Sequence, residues 1–441
     1  MANKFVIIGG GSTQSPSILE VLRQRSADLK MNELVLYDTD EERVSLLGQY
    51  TKMYYKETGS PVKVSYTTNL DEALQGANYL FMQIRPGLNK QRAIDEKICI
   101  RNGVIGQETC GLGGFSFAMR VIPAIIDIIK KVKEICPDAW ILNYTNPEAI
   151  LSEAIYREFP EAKVICICDM PISIEGAIAQ YFHKDLKDIT FKYFGMNHFG
   201  WWTSMIDENG HDLLPDLRKD VEDGKIDTLA QWNDETLDDK YWIDTYKRMI
   251  TIFKRFPEYF PNCYLQYYLM PDVMMAESDV NFTRGDWVMQ GREKRIFDEC
   301  RRVLKAGTAK GSSLNSGVHG NYIVDIANAI IHNTRERFTV NQKNNGAIAN
   351  FDTDAVVEVP AYIGSMGAET INIGKIPTFY KGMMELQKAY EKRTVDAALS
   401  GSYQVALEAV VLNKTIPDYH IGQKVLDELY AANKEYWPTL H

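Results

Sequence analysis

Short apolar runs alternate with amphipathic stretches through roughly the first 170 residues. Lys4–Ile8 reads KFVII, Leu34–Tyr37 LVLY, Val62–Tyr66 VKVSY, Tyr79–Ile84 YLFMQI, Trp140–Asn143 WILN and Val164–Cys168 VICIC. Ser17–Arg23 and Glu41–Tyr54 lie between them with helical spacing. Continuous apolar strands separated by helices predict βαβ units and a mostly parallel, Rossmann-type sheet covered on both faces. Ligands of such sheets collect at the carboxyl ends of the strands, so functional residues are expected just after these runs.

The pattern changes after Phe194. A polar, acidic stretch runs from Asp216 to Asp239, and long amphipathic segments follow at Glu293–Leu304, Tyr322–His332, Phe379–Ala397 and Gly422–Asn433. Short strand-like pieces, Phe338–Val340 and Ala355–Val359, interrupt them. This predicts an α/β domain over 1–196 and an α+β domain over 197–441, with a large shared interface because no low-complexity linker separates them.

Composition narrows the functional classes. The 441 residues are 45% hydrophobic and 24% charged, an ordinary globular balance. The net charge of −10 argues against a nucleic-acid partner, since phosphate contacts need a basic surface. No uninterrupted apolar run approaches the roughly 18 residues of a membrane span, so no membrane partner is expected. The N-terminus leads straight into a strand with no signal-peptide pattern. Seven scattered cysteines suit reduced thiols in a cytoplasm better than a disulfide framework.

Chemistry-bearing residues stand where the strand pattern predicts. Lys4–Ile8 runs into Gly9-Gly10-Gly11-Ser12-Thr13-Gln14, followed by a helix with Pro16 in its first turn. Glycines there let backbone N–H groups approach a pyrophosphate, and the helix N-terminus adds positive potential. Gln14 replaces the third glycine of the usual GxGxxG pattern. Asp38, ending the second strand, is placed to accept from ribose hydroxyls and to repel a 2′-phosphate, which favours NAD over NADP. Its alternative use is as a helix N-cap. Cys168 ends the VICIC run beside Asp169, and His198 follows in MNHFGWW. Each has a structural reading, as a buried thiol and a core histidine, beside the metal-ligand one. No CxxC or HExxH predicts a closed zinc site. Arg85, Arg92 and Arg284, in an acidic chain, are surface salt bridges or an anion pocket.

Taken in order, these segments resemble glycoside hydrolase family four. The resemblance is carried by the glycine turn and by Ile105-Gly106-Gln107-Glu108-Thr109-Cys110-Gly111, Leu142-Asn143-Tyr144-Thr145-Asn146-Pro147, Cys168-Asp169-Met170-Pro171, Gly195–Trp202, Tyr264–Tyr268 and Asn344–Asn350. The tetrapeptide Cys-Asp-Met-Pro looks like the branch acting on 6-phospho-α-glucosides. The resemblance implies a fold like lactate and malate dehydrogenases overall. It implies Cys168 and His198 as ligands of a divalent metal, usually Mn2+; Asp169 as proton donor; Tyr264 as proton acceptor; and Glu108 as a neighbour raising that tyrosine's basicity. Gly9, Gly10, Gly11, Ser12, Thr13 and Asp38 would hold NAD. Arg92, Asn146 and Arg284 would hold the phosphorylated substrate.

The implied activity is hydrolysis of compounds such as maltose 6-phosphate, by transient NAD-dependent oxidation at C3, abstraction of the C2 proton, elimination and water addition. Most glycosidases work instead with a pair of carboxylates flanking the scissile bond, and NAD-dependent enzymes are an exception to that scheme. Thiolate and imidazole alone would favour zinc or iron over manganese. A homo-oligomer, dimer or tetramer, is also implied. Two other classes share the Rossmann half: an NAD-dependent dehydrogenase of a small hydroxy substrate, and a non-catalytic NAD-binding sensor.

Overall fold

The computed structural model describes residues 2–232, 239–314 and 320–441. Its first six strands are β1 (Asn3–Ile8), β2 (Met31–Tyr37), β3 (Lys63–Thr67), β4 (Tyr79–Met82), β5 (Trp140–Asn143) and β6 (Val164–Cys166). They lie parallel in the order β3-β2-β1-β4-β5-β6. That is the doubly wound order of dinucleotide-binding sheets, with its switch point between β1 and β4. All six predicted strands are present, and their ends differ by a few residues. The run Val164–Cys168 leaves the ladder early, because its partner β5 ends at Asn143. The Asn143 carbonyl accepts from the Ile167 N–H, and the pairing stops there. Cys168 is thereby released to the carboxyl edge of the sheet.

The remaining strands are β7 (Thr190–Met196), β8 (Phe199–Ile206), β9 (Phe260–Pro261), β10 (Glu336–Lys343), β11 (Val356–Gly364) and β12 (Gly367–Thr370). β10 pairs antiparallel with β6, and the order runs on as β10-β11-β7-β8-β9, with β12 on β11. The twelve strands therefore form one sheet that crosses residue 196 without a break. The four predicted C-terminal helices lie at Lys294–Ala306, Asn321–His332, Thr378–Ser400 and Tyr419–Ala432. Helix Leu213–Glu222 occupies the start of the acidic stretch, and residues 233–238 of that stretch lie outside the described residues.

One long helix, Gly111–Ile135, is not predicted by the periodicity. By length and composition it is sufficient to cross a membrane, but most of it is buried inside the protein. Leu112, Phe115, Val121, Ile122, Ile125 and Ile129 are all at most 1% exposed, and every residue of Gly111–Ile122 is buried, so the first half of the helix is enclosed on all sides. Full burial of such side chains stabilises by roughly 1.5–3 kcal/mol each. The C-terminal segment returns to this helix: Arg120 donates to Asn433 Oδ1 at 2.7 Å, and Asn433 donates to Asp95 Oδ1 at 2.9 Å. Arg120 Nε also donates to the Pro86 carbonyl at 3.3 Å. The far end of the chain thus braces the loop after β4.

Candidate active site

A cavity of about 1420 Å³ opens along the carboxyl edge of the parallel strands. Ordinary small-molecule pockets span roughly 300–1,000 Å³, so this one has room for a dinucleotide and a second molecule. It is lined by Gly9, Gly11, Ser12, Thr13, Asp38, Arg92, Glu108, Asn146, Cys168, Asp169, His198, Tyr264 and Arg284. Gly10 alone of the residues expected at the site does not line it. A Cβ on Gly10 would stand 2.8 Å from Leu36 Cβ, so this glycine serves the packing of the turn on β2.

The turn after β1 is built for close approach. Gly9 has φ +87°, and a Cβ there would stand 2.4 Å from the Gln83 carbonyl oxygen. Ser15 Oγ donates to the Gly10 carbonyl at 2.9 Å and accepts from Gln83 Nε2 at 2.9 Å, which fixes the turn to the end of β4. Asp38 accepts from Gly11 N–H at 2.9 Å and from Asp40 N–H at 3.1 Å. Burial raises its pKa, and those two N–H groups oppose the rise. Asp38 therefore orders the turn itself. The N-cap of the next helix is Asp40, whose Oδ1 accepts from Arg43 N–H at 3.1 Å.

Cys168 and His198 come together from two elements. Cys168 lies two residues past β6, and His198 sits in the tight turn between β7 and β8 with φ +62°. Histidine tolerates that left-handed conformation better than most side chains. Cys168 Sγ and His198 Nε2 are 3.5 Å apart. Among the described residues no cluster of three or more His, Cys, Asp or Glu side chains suited to a metal is present. The pair is thus an open, two-ligand site.

The hydrogen bonds around His198 decide its tautomer. Gln107 Oε1 accepts from the backbone N–H of Thr109 and of Cys110, each at 2.7 Å, so that atom is the amide oxygen. Thr109 Oγ1 lies 2.7 Å from the same oxygen and must donate its one proton there. It can then only accept from His198 Nδ1, 3.0 Å away. Burial pulls the His198 pKa down to about 4, so the ring is neutral at physiological pH. A neutral ring protonated at Nδ1 leaves the Nε2 lone pair facing Cys168, as metal ligation requires. Burial, then Asp169, pushes the Cys168 thiol pKa well up, so a bound cation has to displace its proton. The donor set fits a divalent metal.

The turn carrying His198 is held from below. Glu358, fully buried on β11, accepts from Asn197 Nδ2 at 3.0 Å and from Tyr193 OH at 2.8 Å. Burial raises its pKa to about 7. Tyr264 stacks on His198, with ring centroids 3.9 Å apart and planes 11° from parallel. Burial first, then Tyr241, raises the phenol pKa well above 10, and Glu108 adds to the rise. Asp169 stands at the N-terminus of helix Met170–Tyr181 without capping it.

Arginines line another part of the cavity. Glu108 Oε2 lies 2.7 Å from Arg85 Nη1 and 2.9 Å from Arg92 Nη1. Burial pushes Glu108 up, but the two guanidiniums outweigh it and hold the pKa at about 2. Arg92 also meets Glu96 at 2.7 Å. Arg284 is sandwiched between Tyr241 and Trp287, its guanidinium carbon 4.4 and 3.9 Å from their ring centroids. Arg292 joins them: its buried Nε has no partner among the described residues. Burial, then Arg85, pulls its pKa down to about 10. An unpaired buried guanidinium nitrogen is costly unless an anion completes it.

Sequence reasoning does not find Gln107 and Thr109 as a tautomer-setting pair, Glu358 as the brace, or Arg292. Only Glu358 leaves a local signal, a carboxylate inside the apolar strand Val356-Val357-Glu358-Val359.

Known proteins resemble the chain over its whole length. The model for the family 4 glycosyl hydrolases matches residues 4–184, and that for the family's C-terminal domain matches 193–416. The chain is 42% identical over 437 residues to the maltose-6'-phosphate glucosidase of Fusobacterium mortiferum, covering 99% of each chain. A solved 6-phospho-α-glucosidase from gut microorganisms, in complex with NAD and Mn2+, superposes with TM-score 0.95 at 38% identity, covering 100% of both chains. Malate dehydrogenase from Plasmodium falciparum shares the fold alone, with TM-score 0.51 at 13% identity over 90% of this chain and 99% of that one.

Proposed function

The chain belongs to glycosyl hydrolase family 4, and from that premise we propose that it hydrolyses 6-phospho-α-glucosides such as maltose 6-phosphate. Its products are glucose 6-phosphate and the released sugar, and its resident cofactors are NAD and a divalent metal, Mn2+ among the candidates. The observation that carries this reading is the Cys168–His198 pair, 3.5 Å apart with the imidazole lone pair turned inward.

When bound, NAD takes a hydride from C3 of the phosphorylated ring and later returns it, while the metal ion withdraws electron density from the neighbouring sugar oxygens. The protein's own groups have separate tasks. Gly9, Gly11, Ser12 and Thr13 offer backbone and hydroxyl groups to the pyrophosphate, and Asp38 stands where the ribose hydroxyls come. Cys168 and His198 are the metal ligands. Arg92, Arg284 and Asn146 hold the 6-phosphorylated sugar, with Arg85 and Arg292 beside them supplying further positive charge. Arg292 supports this placement, because an incoming phosphate would complete its unpartnered nitrogen.

Tyr264 takes the C2 proton. Burial keeps this phenol protonated on its own, so it becomes a base only beside a cation, and its stacking on His198 puts it there. Asp169 delivers a proton to the glycosidic oxygen as the C1–O bond breaks. Loss of the C2 proton and the C1 oxygen leaves a C1–C2 double bond. Water then adds at C1 and a proton returns to C2. After the hydride returns to C3, no net oxidation remains.

The finer readings are proposals on the same footing. Exposed Leu399, Val411 and Tyr419 on the C-terminal helices support a homo-oligomer, dimer or tetramer. Seven unpaired, buried cysteines support a reducing cytoplasm.

The test is turnover of p-nitrophenyl 6-phospho-α-glucoside with and without NAD and Mn2+. Activity should need both, should fail with the unphosphorylated sugar, and should place solvent deuterium at C2 of the product. Stoichiometric accumulation of NADH would mean a dehydrogenase. Absence of deuterium at C2 would remove the proton-abstraction step.

A further inference from the structure

The cavity does not end at the catalytic groups. It continues along helix Met170–Tyr181, whose Ser173, Gly176, Ala177 and Gln180 line it. These positions are spaced by three, four and seven residues from Ser173, so they form one face of the helix. That face starts one turn after Asp169 and reaches about 16 Å along the axis by Gln180, at a rise of about 1.5 Å per residue. The same cavity is also lined by Trp232 and Trp242, both half-buried, and Trp232 packs edge-on against Tyr181 at the far end of the helix.

We propose that this arm is the leaving-group subsite and that it takes the second pyranose ring of an α-linked disaccharide phosphate. The inference rests on the assignment of Asp169 as proton donor. Whatever leaves with that proton must lie next to Asp169, and the arm is the part of the cavity that runs on from it along the helix.

Its chemistry suits a sugar better than a charged or purely apolar group. The π-face of an indole is electron-rich and receives the weakly positive C–H bonds on one face of a pyranose. Small residues on the helix face leave room: a Cβ added at Gly176 would meet nothing within 4 Å. Polar groups for hydroxyls are present at both ends. Ser173 lies beside Asp169, and Gln180 lies at the outer end.

The experiment uses Gly176→Leu and Trp242→Ala in the full chain with NAD and Mn2+. The first fills the arm from the helix side, where the new Cβ meets open space. The second removes a stacking face. The readout is kcat/KM for maltose 6-phosphate divided by kcat/KM for methyl 6-phospho-α-glucoside, whose leaving group is too small to reach the arm. Each variant should lower that ratio by about tenfold or more, the scale on which pocket contacts discriminate substrates. Trp242→Phe should recover part of the loss. An unchanged ratio in both variants overturns the proposal. So does a rise in half-saturating NAD with the ratio unchanged, which would assign the arm to the dinucleotide. If Gly176→Leu fails to fold, Trp242→Ala decides alone. Failure of the unmodified enzyme to cleave either phosphorylated substrate would instead remove the catalytic reading on which the subsite rests.

Discussion

Between β1 and the helix that follows, the groups aimed at a ligand are main chain, shaped by Gly9 and Gly11. Around Cys168 and His198 they are side chains, contributed by the segment after β6, the β7–β8 turn, the Gln107–Cys110 loop and the segment around Tyr264. The first site is local, spanning fewer than ten residues plus Asp38 and Gln83. The second exists only once distant strands have paired. The difference predicts different failure modes. Damage to the turn should lower cofactor affinity and stability together, since one glycine-dependent stretch of backbone serves both. Damage to the side-chain cluster should remove chemistry and leave the fold and NAD binding standing.

Cys168→Ser is the sharpest test and carries the largest expected effect. The loss of one of the two proposed metal ligands should reduce kcat by at least about 10²–10³-fold, the scale of removing one strong electrostatic stabiliser. NAD affinity, followed by quenching of protein fluorescence, should stay within about twofold. A variant that loses NAD binding as well would mean the two regions are one cooperative site.

Thr109→Val is the next step down. Valine keeps the shape and removes the acceptor for His198 Nδ1–H. The ring is then free to carry its proton at Nε2, toward Cys168. Loss of such an orienting partner usually weakens metal binding by about 10–100-fold. Titration with Co2+, read by the thiolate-to-metal absorption, measures this without relying on turnover. Unchanged Co2+ affinity would show that Thr109 does not set the tautomer.

Gly9→Ala probes the other region. The new Cβ meets the Gln83 carbonyl oxygen at 2.4 Å, and alanine is strained at φ +87°. Together these should cost about 3 kcal/mol of stability. Urea unfolding and NAD titration on the same sample should both show a loss. If NAD affinity falls while stability holds, the turn is less tied to the fold than its bonds to Gln83 suggest.

The same contrast explains what can be read without coordinates. The β1 turn, Asp38 and the six parallel strands follow from local pattern, because strand burial and glycine conformation depend on near neighbours. Cys168 and His198 are ambiguous on spacing, since thirty residues separate them and nothing local says that β6 and the β7–β8 turn converge. Family resemblance supplies that pairing. The early end of β6 is not legible because Ile167 and Cys168 continue an apolar run, while the length of β5, not the run, sets where the ladder stops. Helix Gly111–Ile135 is hidden for a related reason. Its first twelve residues, Gly111–Ile122, are buried on every side, so that half lacks the polar stripe that marks an amphipathic helix. Arg292 gives no sign because its role depends on Arg85, Arg92 and Arg284 lying around it.

The smallest effect concerns the cost of building with buried side chains. Glu175, in the helix after Asp169, accepts from Trp202 Nε1 at 2.8 Å and is 7% exposed. Burial raises its pKa from 4.5 to about 7, with the Trp202 bond opposing the rise. Below about pH 4.5 the carboxyl is protonated in folded and unfolded chains alike, and its contribution is constant. As pH rises to about 7 the unfolded chain releases the proton and the folded chain retains it, so stability is lost across that window. Above it both forms are ionised and the loss levels off. Glu175→Gln keeps an oxygen for Trp202 and has nothing to ionise. The variant should therefore gain on the unmodified chain by about 2 kcal/mol between about pH 5 and pH 8, given about 1.4 kcal/mol per pKa unit and some relief from water entry on ionisation. Urea midpoints at the two pH values measure the gap. A gap independent of pH would show that Glu175 is ionised in the folded protein throughout, and that the helix behind Asp169 carries no proton-linked cost.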